Sequence, residues 1–357
     1  PSPRMPTDEP ATADSLANWF LTAPERGNDF TEIDRRHPDG AAWTAGNRVE
    51  TLVHGATYFG RLRETITGLG PGDQLFFTDW RGDPDEQLAD GLETEIGAVL
   101  SAAVRRGVSV KGLLWRSHAD RLGFSANENR HLGAVLNEVG GEVLLDQRVR
   151  RGGSHHQKLV VIRRAGGTAG DIAFVGGIDL CHSRRDDAEH LGDRQCQPMA
   201  PVFGTTPPWH DIQVAVEGPA VGDLEFTFRE RWADRSPLSR DPVGILGDLL
   251  RHTDRRASPL PPMPPDPPRR GTHSVQVLRT YGRRPWGYPF APHGGRSVAR
   301  GYPTALRRAR RPTDLEDRFR QPHERMTPFV GAPPATPRPT PTPTSPRSAH
   351  QPRPPPL

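Results

Sequence analysis

The sequence predicts an α/β fold in which a mixed sheet is covered by helices on both faces. Short apolar runs of strand length alternate along the chain with longer segments whose apolar residues recur at helical spacing. Strands that alternate with helices are typical of a sheet enclosed between helical layers. The clearest helical segment is residues 92–106, where one face carries Ile96, Val99, Leu100, Ala103 and Val104.

The elements follow in chain order from these periodicities. Helices are predicted at residues 58–69, 92–106, 129–139 and 224–232, and strands at 74–79, 108–115, 141–145, 159–162, 172–175 and 212–216. We expect the strands 159–162 and 172–175 to be adjacent and antiparallel. Seven prolines within residues 259–268 then mark a surface linker. A strand over 274–280 and a helix over 297–311 follow, and Pro303 breaks into that helix.

A histidine and a lysine precede the strand 159–162. His156 and Lys158 are two residues apart, so the side-chain period of a strand places them on the same face. An imidazole nucleophile beside a fixed cation suits attack on a phosphodiester, because the cation stabilises charge on the phosphoryl oxygens. Lys111 is the only other lysine among 47 basic residues, which makes Lys158 informative. The pattern alone also fits a surface strand with two solvated polar residues.

The stretch from His155 to Asp187 resembles the phospholipase D superfamily, and the resemblance extends over roughly residues 45–320. The family motif H-x-K-x4-D, followed by a strand that ends in Gly-Gly or Gly-Ser, corresponds to HHQKLVVI at 155–162 and FVGGIDLC at 174–181. The doubled histidine and the Gly-Gly-x-Asp-Leu-Cys run are similar to the phosphatidylcholine-hydrolysing members. Further matches lie at residues 58–59 (YF), 209–212 (WHDI), 218–219 (GP) and 231–232 (RW).

The resemblance implies a covalent two-step reaction on phospholipid headgroup phosphodiesters, which ends in hydrolysis or transphosphatidylation. His156 would attack phosphorus and form a phosphohistidine, while Lys158 would hold the phosphate oxygens. Asp211, within the WHDI sequence, would orient the imidazole, and a solvated turn aspartate is the alternative for this residue.

The same resemblance implies that Gly176, Gly177 and Asp179 bind the substrate phosphate. The glycines would let the backbone approach the phosphate, although a simple turn also explains them. No set of cysteines or histidines has metal-ligand spacing, so neither a metal nor another cofactor is expected. Structural or surface roles are expected for His182, His190 and His210.

Two departures from the family pattern bear on activity. Arg163 stands where the motif has aspartate, and Asp171, across a turn, is a candidate substitute. Complete relatives carry two H-x-K motifs that meet across a pseudo-twofold axis, whereas this sequence contains one. We interpret the chain as a phospholipase D-like protein whose first half is complete and whose second half is truncated, by a frameshift or by natural loss.

The sequence divides into five predicted regions. These are an N-terminal extension (1–44), a catalytic half (45–258), a proline-rich linker (259–270), a remnant of the second half (271–327) and a disordered tail (328–357). The tail has 12 prolines in 30 residues, a composition that cannot bury a core. The segment 269–357 carries 17 arginines and four acidic residues. We expect the remnant to contribute neither catalysis nor a well-packed core.

Three functions remain open at this point. The first is an active phospholipase D-type enzyme, with a homodimer as one way to complete its active site. The second is a catalytically inactive remnant that binds phospholipid or phosphate, and the third is a single-motif dimeric nuclease-type phosphodiesterase. The expected partner is a phospholipid substrate at a membrane surface rather than nucleic acid. Without an apolar run of 18 residues, the chain is expected in the cytoplasm or peripherally at the membrane surface.

Overall fold

The computed structural model describes residues 19–308, except for 38–39, 118–125, 194–208, 240–245, 247–256 and 286. Within these residues the strands are β1 (Thr44–Val53), β2 (Gln74–Asp79), β3 (Ser109–Trp115), β4 (Glu142–Asp146), β5 (Leu159–Arg163), β6 (Ile172–Gly176), β7 (Ile212–Glu217), β8 (His273–Val275), β9 (Thr280–Tyr281) and β10 (Gly295–Arg296). The helices are α1 (Ala23–Arg26), α2 (Gly55–Thr67), α3 (Ile96–Arg105), α4 (Ala126–Glu138), α5 (Ala220–Trp232) and α6 (Ser297–Arg308). None of these helices combines the length and apolar character that crossing a membrane requires.

In the described part of the chain, eight strands form one mixed sheet in the order β4-β3-β2-β5-β6-β7-β1-β8. Strands β2, β3 and β4 are parallel, whereas the pairs from β2–β5 through to β1–β8 are antiparallel. In the β5–β6 pair, Leu159 faces Val175 and Ile162 faces Ile172. This register confirms the predicted antiparallel pair.

Apolar side chains alternate between the two faces of the sheet, as the side-chain period of a strand requires. In β2, Leu75 and Phe77 join the core formed with α2, α3 and α4 on one face. Phe76 points to the other face, where its ring stacks on Phe228 of α5 at a centroid distance of 5.0 Å. Helices therefore cover both faces, and the predicted fold class is confirmed.

Most element boundaries lie within a few residues of the predicted ones. Helices α2 and α5 begin about a turn earlier than the apolar pattern indicated, at Gly55 and Ala220, because their first turns consist largely of small residues. The strand expected over 274–280 is confined to the three residues of β8. Helix α6 continues through Pro303, at the loss of one backbone hydrogen bond.

The expectation of weak packing after the linker is wrong for the described residues. The linker lies along α5, where Arg229 donates a hydrogen bond to the Pro261 carbonyl at 2.7 Å. Arg284 reaches back to Asp234, just beyond α5, in a buried ion pair of 2.5 Å. The segment also has a small core of its own, made of Tyr281, Tyr288, Phe290 and Ala291.

Several predicted regions lie outside the described residues. These are the first part of the N-terminal extension (1–18), the end of the predicted remnant (309–327) and the predicted disordered tail (328–357). The division into five regions therefore stays a prediction. The described residues belong to one compact unit, which ends at Arg308.

Candidate active site

His156 and Lys158 lie together immediately before β5. The Lys158 ammonium nitrogen is 3.0 Å from each ring nitrogen of His156. Lys158 is buried, whereas His156 opens into a cleft of about 950 Å³. Residues 277–283 line the same cleft, so the segment after the linker forms part of its wall. The two motif side chains therefore share a face, as the period of two indicates.

The surroundings of His156 favour the neutral imidazole. Partial burial, and then the positive charge of Lys158, lower the pKa of His156 below its ordinary value of 6.5. At neutral pH the ring therefore has a free lone pair, which a nucleophile requires. Asp179 holds the lysine in place, with 3.4 Å between its Oδ1 atom and the Lys158 ammonium.

A pair of buried carboxyl groups, Asp79 and Asp179, lies behind Lys158. Burial, and then the charge of Asp179, raise the pKa of Asp79 well above its ordinary range, so that the two side chains can share a proton. The Leu180 amide donates to Asp79 Oδ2 at 2.9 Å, and Arg184 approaches Asp179 Oδ2 at 3.5 Å. Of the two carboxylates, Asp179 forms the ion pair with the lysine.

Trp80 belongs to this site although the motif does not include it. Its ring centroid is 5.3 Å from that of His156, and the Lys158 ammonium lies 5.6 Å from the indole. The indole also stacks on Trp115 at the end of β3. In the sequence, the position of Trp80 at the end of an apolar strand was the one feature that could have indicated its role. The antiparallel pairing of β2 with β5 brings that strand end to His156.

His155 belongs to the wall of the same cleft, but its side chain is buried in the protein. It is 1% exposed, and burial, followed by the charge of Arg231, lowers its pKa well below the ordinary range. Its charged neighbours Asp146 and Arg148 form a buried ion pair of 2.9 Å. The two adjacent histidines therefore occupy different environments, and only His156 is open to a substrate.

Residues at and just before the start of β7 leave no room for a side chain at Gly176 or Gly177. A Cβ atom on Gly176 would lie 2.6 Å from the Ile212 carbonyl oxygen, and one on Gly177 would lie 2.4 Å from Asp211 Oδ1. The Asp211 carboxylate accepts from the Ile212 amide at 2.7 Å and from the Trp209 indole at 3.4 Å. Among the described residues, no hydrogen bond or ion pair joins Asp211 to His156, and its orienting role stays a prediction.

Arg163, at the position of the motif aspartate, is fully integrated into the fold. Its guanidinium forms buried ion pairs of 3.0 Å with Asp171 and with Glu225 of α5. It also donates to the carbonyls of Pro264 and Pro265 at 3.1 and 2.6 Å, which attaches the linker to the sheet. Asp171 is thus the ion-pair partner of the arginine and also accepts from the Arg164 amide at 2.7 Å, and its substitution for the motif aspartate stays a prediction.

The pH dependence of activity should report the protonation of His156. Because its folded pKa lies below 6.5, we expect kcat/KM to be constant at neutral pH and to fall on acidification below that value. The measurement is a pH–rate profile combined with an NMR titration of the His156 ring. Lys158→Met should raise the His156 pKa, since the substitution removes a neighbouring positive charge. An acidic limb above pH 6.5 would contradict the assignment.

Comparison with known proteins supports the resemblance found in the sequence. The family model for phospholipase D matches residues 90–283, just over half of the chain. Phospholipase D alpha 1 of Vigna unguiculata is 32% identical over 282 residues, which cover 64% of this chain and 34% of that protein. Phospholipase D B of Dictyostelium discoideum is 26% identical over 217 residues, which cover 52% of this chain and 17% of that protein.

Similarity to solved structures is weaker. The polyphosphate kinase of Porphyromonas gingivalis aligns with 62% of this chain and 30% of its own, at 14% identity and a TM-score of 0.33, too low to support a structural argument. The chain spans about a third of the length of the plant relatives that it matches. The family match, together with His156 and Lys158 on one cleft, establishes that the chain belongs to the phospholipase D family.

Proposed function

We propose that this chain acts as a phospholipase D-type phosphodiesterase through a phosphohistidine on His156. The observation that carries the proposal is the His156 imidazole, held neutral at neutral pH, with the Lys158 ammonium 3.0 Å away on an open cleft. The imidazole would attack phosphorus, and the headgroup alcohol would leave after accepting a proton. Lys158 would stabilise the charge on the non-bridging oxygens. Water or another alcohol would then displace the histidine.

The cleft has the charge that a phosphodiester substrate requires. Arg150, Arg283 and Arg296 line it and are exposed, so a cationic rim surrounds the histidine. This rim suits an anionic phosphate at the surface of a membrane, where we propose that the protein works. Asp179 would act by holding Lys158, because its own negative charge opposes direct contact with phosphate.

The leaving headgroup alcohol needs a general acid to protonate it. This sequence has no second H-x-K motif that could supply one. Only one H-x-K occurs in its 357 residues, whereas complete relatives bring two together. We propose that a second copy of the chain contributes the other histidine, so that two His156 side chains face one phosphate. The active species would then be a homodimer.

The experiment is a substrate panel assayed with the purified full chain. Phosphatidylcholine vesicles, bis(4-nitrophenyl) phosphate and single-stranded DNA are offered separately, and the reaction with phosphatidylcholine is quenched to detect phosphohistidine on the peptide that contains His156. We expect choline release and a trapped adduct that is absent from His156→Asn. Light scattering measures the oligomeric state, and activity should fall on dilution below the dimer dissociation constant.

Each alternative function gives a different result in this panel. Cleavage of DNA without choline release would favour the nuclease-type phosphodiesterase. Vesicle binding without turnover of any substrate would favour the inactive remnant. A strict monomer with full activity would contradict the proposed dimer while leaving the role of His156 intact.

A further inference from the structure

Three histidines and a buried aspartate meet near the carboxyl end of β1. His54 follows β1 directly, Asp186 and His190 lie in the segment after β6, and His210 precedes β7. None of the four lines the cleft that contains His156. The antiparallel pairing of β1 with β7, in which Val53 faces Ile212, brings these separate parts of the chain together.

The donor atoms of this cluster have the spacing of a metal site. Asp186 Oδ2 is 3.2 Å from His190 Nδ1 and 3.6 Å from His210 Nδ1, and His210 Nδ1 is 3.1 Å from His54 Nδ1. Ligand atoms about 2.0–2.2 Å from a tetrahedral ion lie roughly 3.3 Å from one another. One atom from each of Asp186, His190 and His210 lies within 4.8 Å of the others. Little movement of these three residues would therefore be needed to enclose an ion, whereas His54, which lies outside this group of three, would have to move closer.

The Asp186 carboxylate is buried and oriented toward the histidine nitrogens. Asp186 is fully buried, and its Oδ1 accepts a hydrogen bond of 3.0 Å from the Gly192 amide. Its Oδ2 faces the histidine nitrogens, so the hydrogen bond from the Gly192 amide orients the carboxylate toward them. His190 and His210 are 58% and 45% exposed, which gives an ion a route from solvent.

Two of the histidines also have backbone conformations of high energy. His54 has φ of 72° and His190 has φ of 54°, a region that residues other than glycine rarely adopt. Such conformations persist where the surrounding structure fixes them and are common at ligand sites. A group of imidazoles hydrogen-bonded around one carboxylate, with one ring protonated, is the alternative, and direct measurement of metal binding separates the two.

We propose that Asp186, His190 and His210 bind a divalent transition-metal ion of the zinc class, with His54 as the fourth ligand. Imidazole nitrogens with one carboxylate suit Zn²⁺, whereas Ca²⁺ and Mg²⁺ prefer oxygen ligands. Four protein ligands would close the coordination shell, as in structural zinc sites. The ion would tie the segments before β7 and after β6 to the first turn of α2.

The test measures metal binding directly on the full chain after removal of metals with a chelator. We expect calorimetry to show one Zn²⁺ per chain, and Co²⁺ to give the intense visible bands of a tetrahedral site. His190→Gln and His210→Gln should each weaken Zn²⁺ binding by about 10²-fold or more. Both side chains are substantially exposed, so these variants should fold, which circular dichroism would verify.

His131→Gln is the matched control, because this histidine is exposed on α4 and outside the cluster. It should bind Zn²⁺ as the unchanged chain does and keep the Co²⁺ spectrum. The proposal is overturned if Zn²⁺ does not bind, if the two cluster variants bind it unchanged, or if Ca²⁺ binds as tightly at the same residues. Because none of these measurements uses turnover, they are independent of the proposed phosphodiesterase activity.

Discussion

Replacement of His156 by alanine is expected to abolish phosphodiester cleavage. In the described cleft, His156 is the imidazole that contacts a buried ammonium group, and no second H-x-K exists in the sequence to replace it. Lys158→Ala should reduce kcat by roughly 10²-fold or more, the scale of losing one group that stabilises transition-state charge. Initial rates of choline release from phosphatidylcholine vesicles provide the measurement.

Two controls separate lost chemistry from lost folding. Arg63→Ala changes an exposed residue on α2, outside the residues that line the cleft, and should leave activity unchanged. His155→Ala should act mainly through stability, because that side chain is buried beside charged residues. Full activity in the His156→Ala variant, with its fold intact, would show that the nucleophile lies elsewhere.

Replacement of Arg163 is expected to be the most damaging change to the fold. Arg163→Met would leave Asp171 buried without its ion-pair partner and Glu225 paired with Arg229 alone, at a cost of about 3–5 kcal/mol in the free energy of unfolding. The substitution would also release the linker carbonyls that the guanidinium holds. Urea unfolding followed by tryptophan fluorescence measures the loss.

A second substitution at the same position gives a sharper test. Arg163→Asp would restore the family's motif residue, yet it should be worse than Arg163→Met because three carboxyl groups would then share one buried site. Arg164→Met is the control, since the ion pair of Arg164 with Asp73 is partly exposed and should be worth at most about 1 kcal/mol. If Arg163→Asp proved as stable as the unchanged chain, the buried ion pairs would not have the role assigned to them.

Local patterns in the sequence were sufficient for the fold class and for the nucleophile. Strand β5 could be predicted because Leu159 to Ile162 are all apolar, and the period of two placed His156 beside Lys158. The order of the strands could not be read in this way. Antiparallel pairing of β2 with β5 depends on contacts between distant residues, and it brings Trp80 to the histidine.

The partners of the charged residues could not be predicted from the sequence either. Arg163 looked like a defect in the motif, since its partners Asp171 and Glu225 are separated from it along the chain and only the packed structure joins them. His54 and His210 carry no metal-binding spacing, yet β1–β7 pairing places their Nδ1 atoms 3.1 Å apart. Sequence spacing detects sites built within one element and misses sites assembled from several.

The position of β1 has a consequence for how the protein is made. This strand lies between β7 and β8, so Val53 pairs with Ile212 and Thr44 with Val275. At a synthesis rate of ~5–20 residues per second, the strand waits about 10–30 s on the ribosome before its first neighbour exists. Throughout that interval both of its edges are open to pairing with other chains. A nascent chain halted before β7 is therefore expected to be prone to aggregation through its first strand.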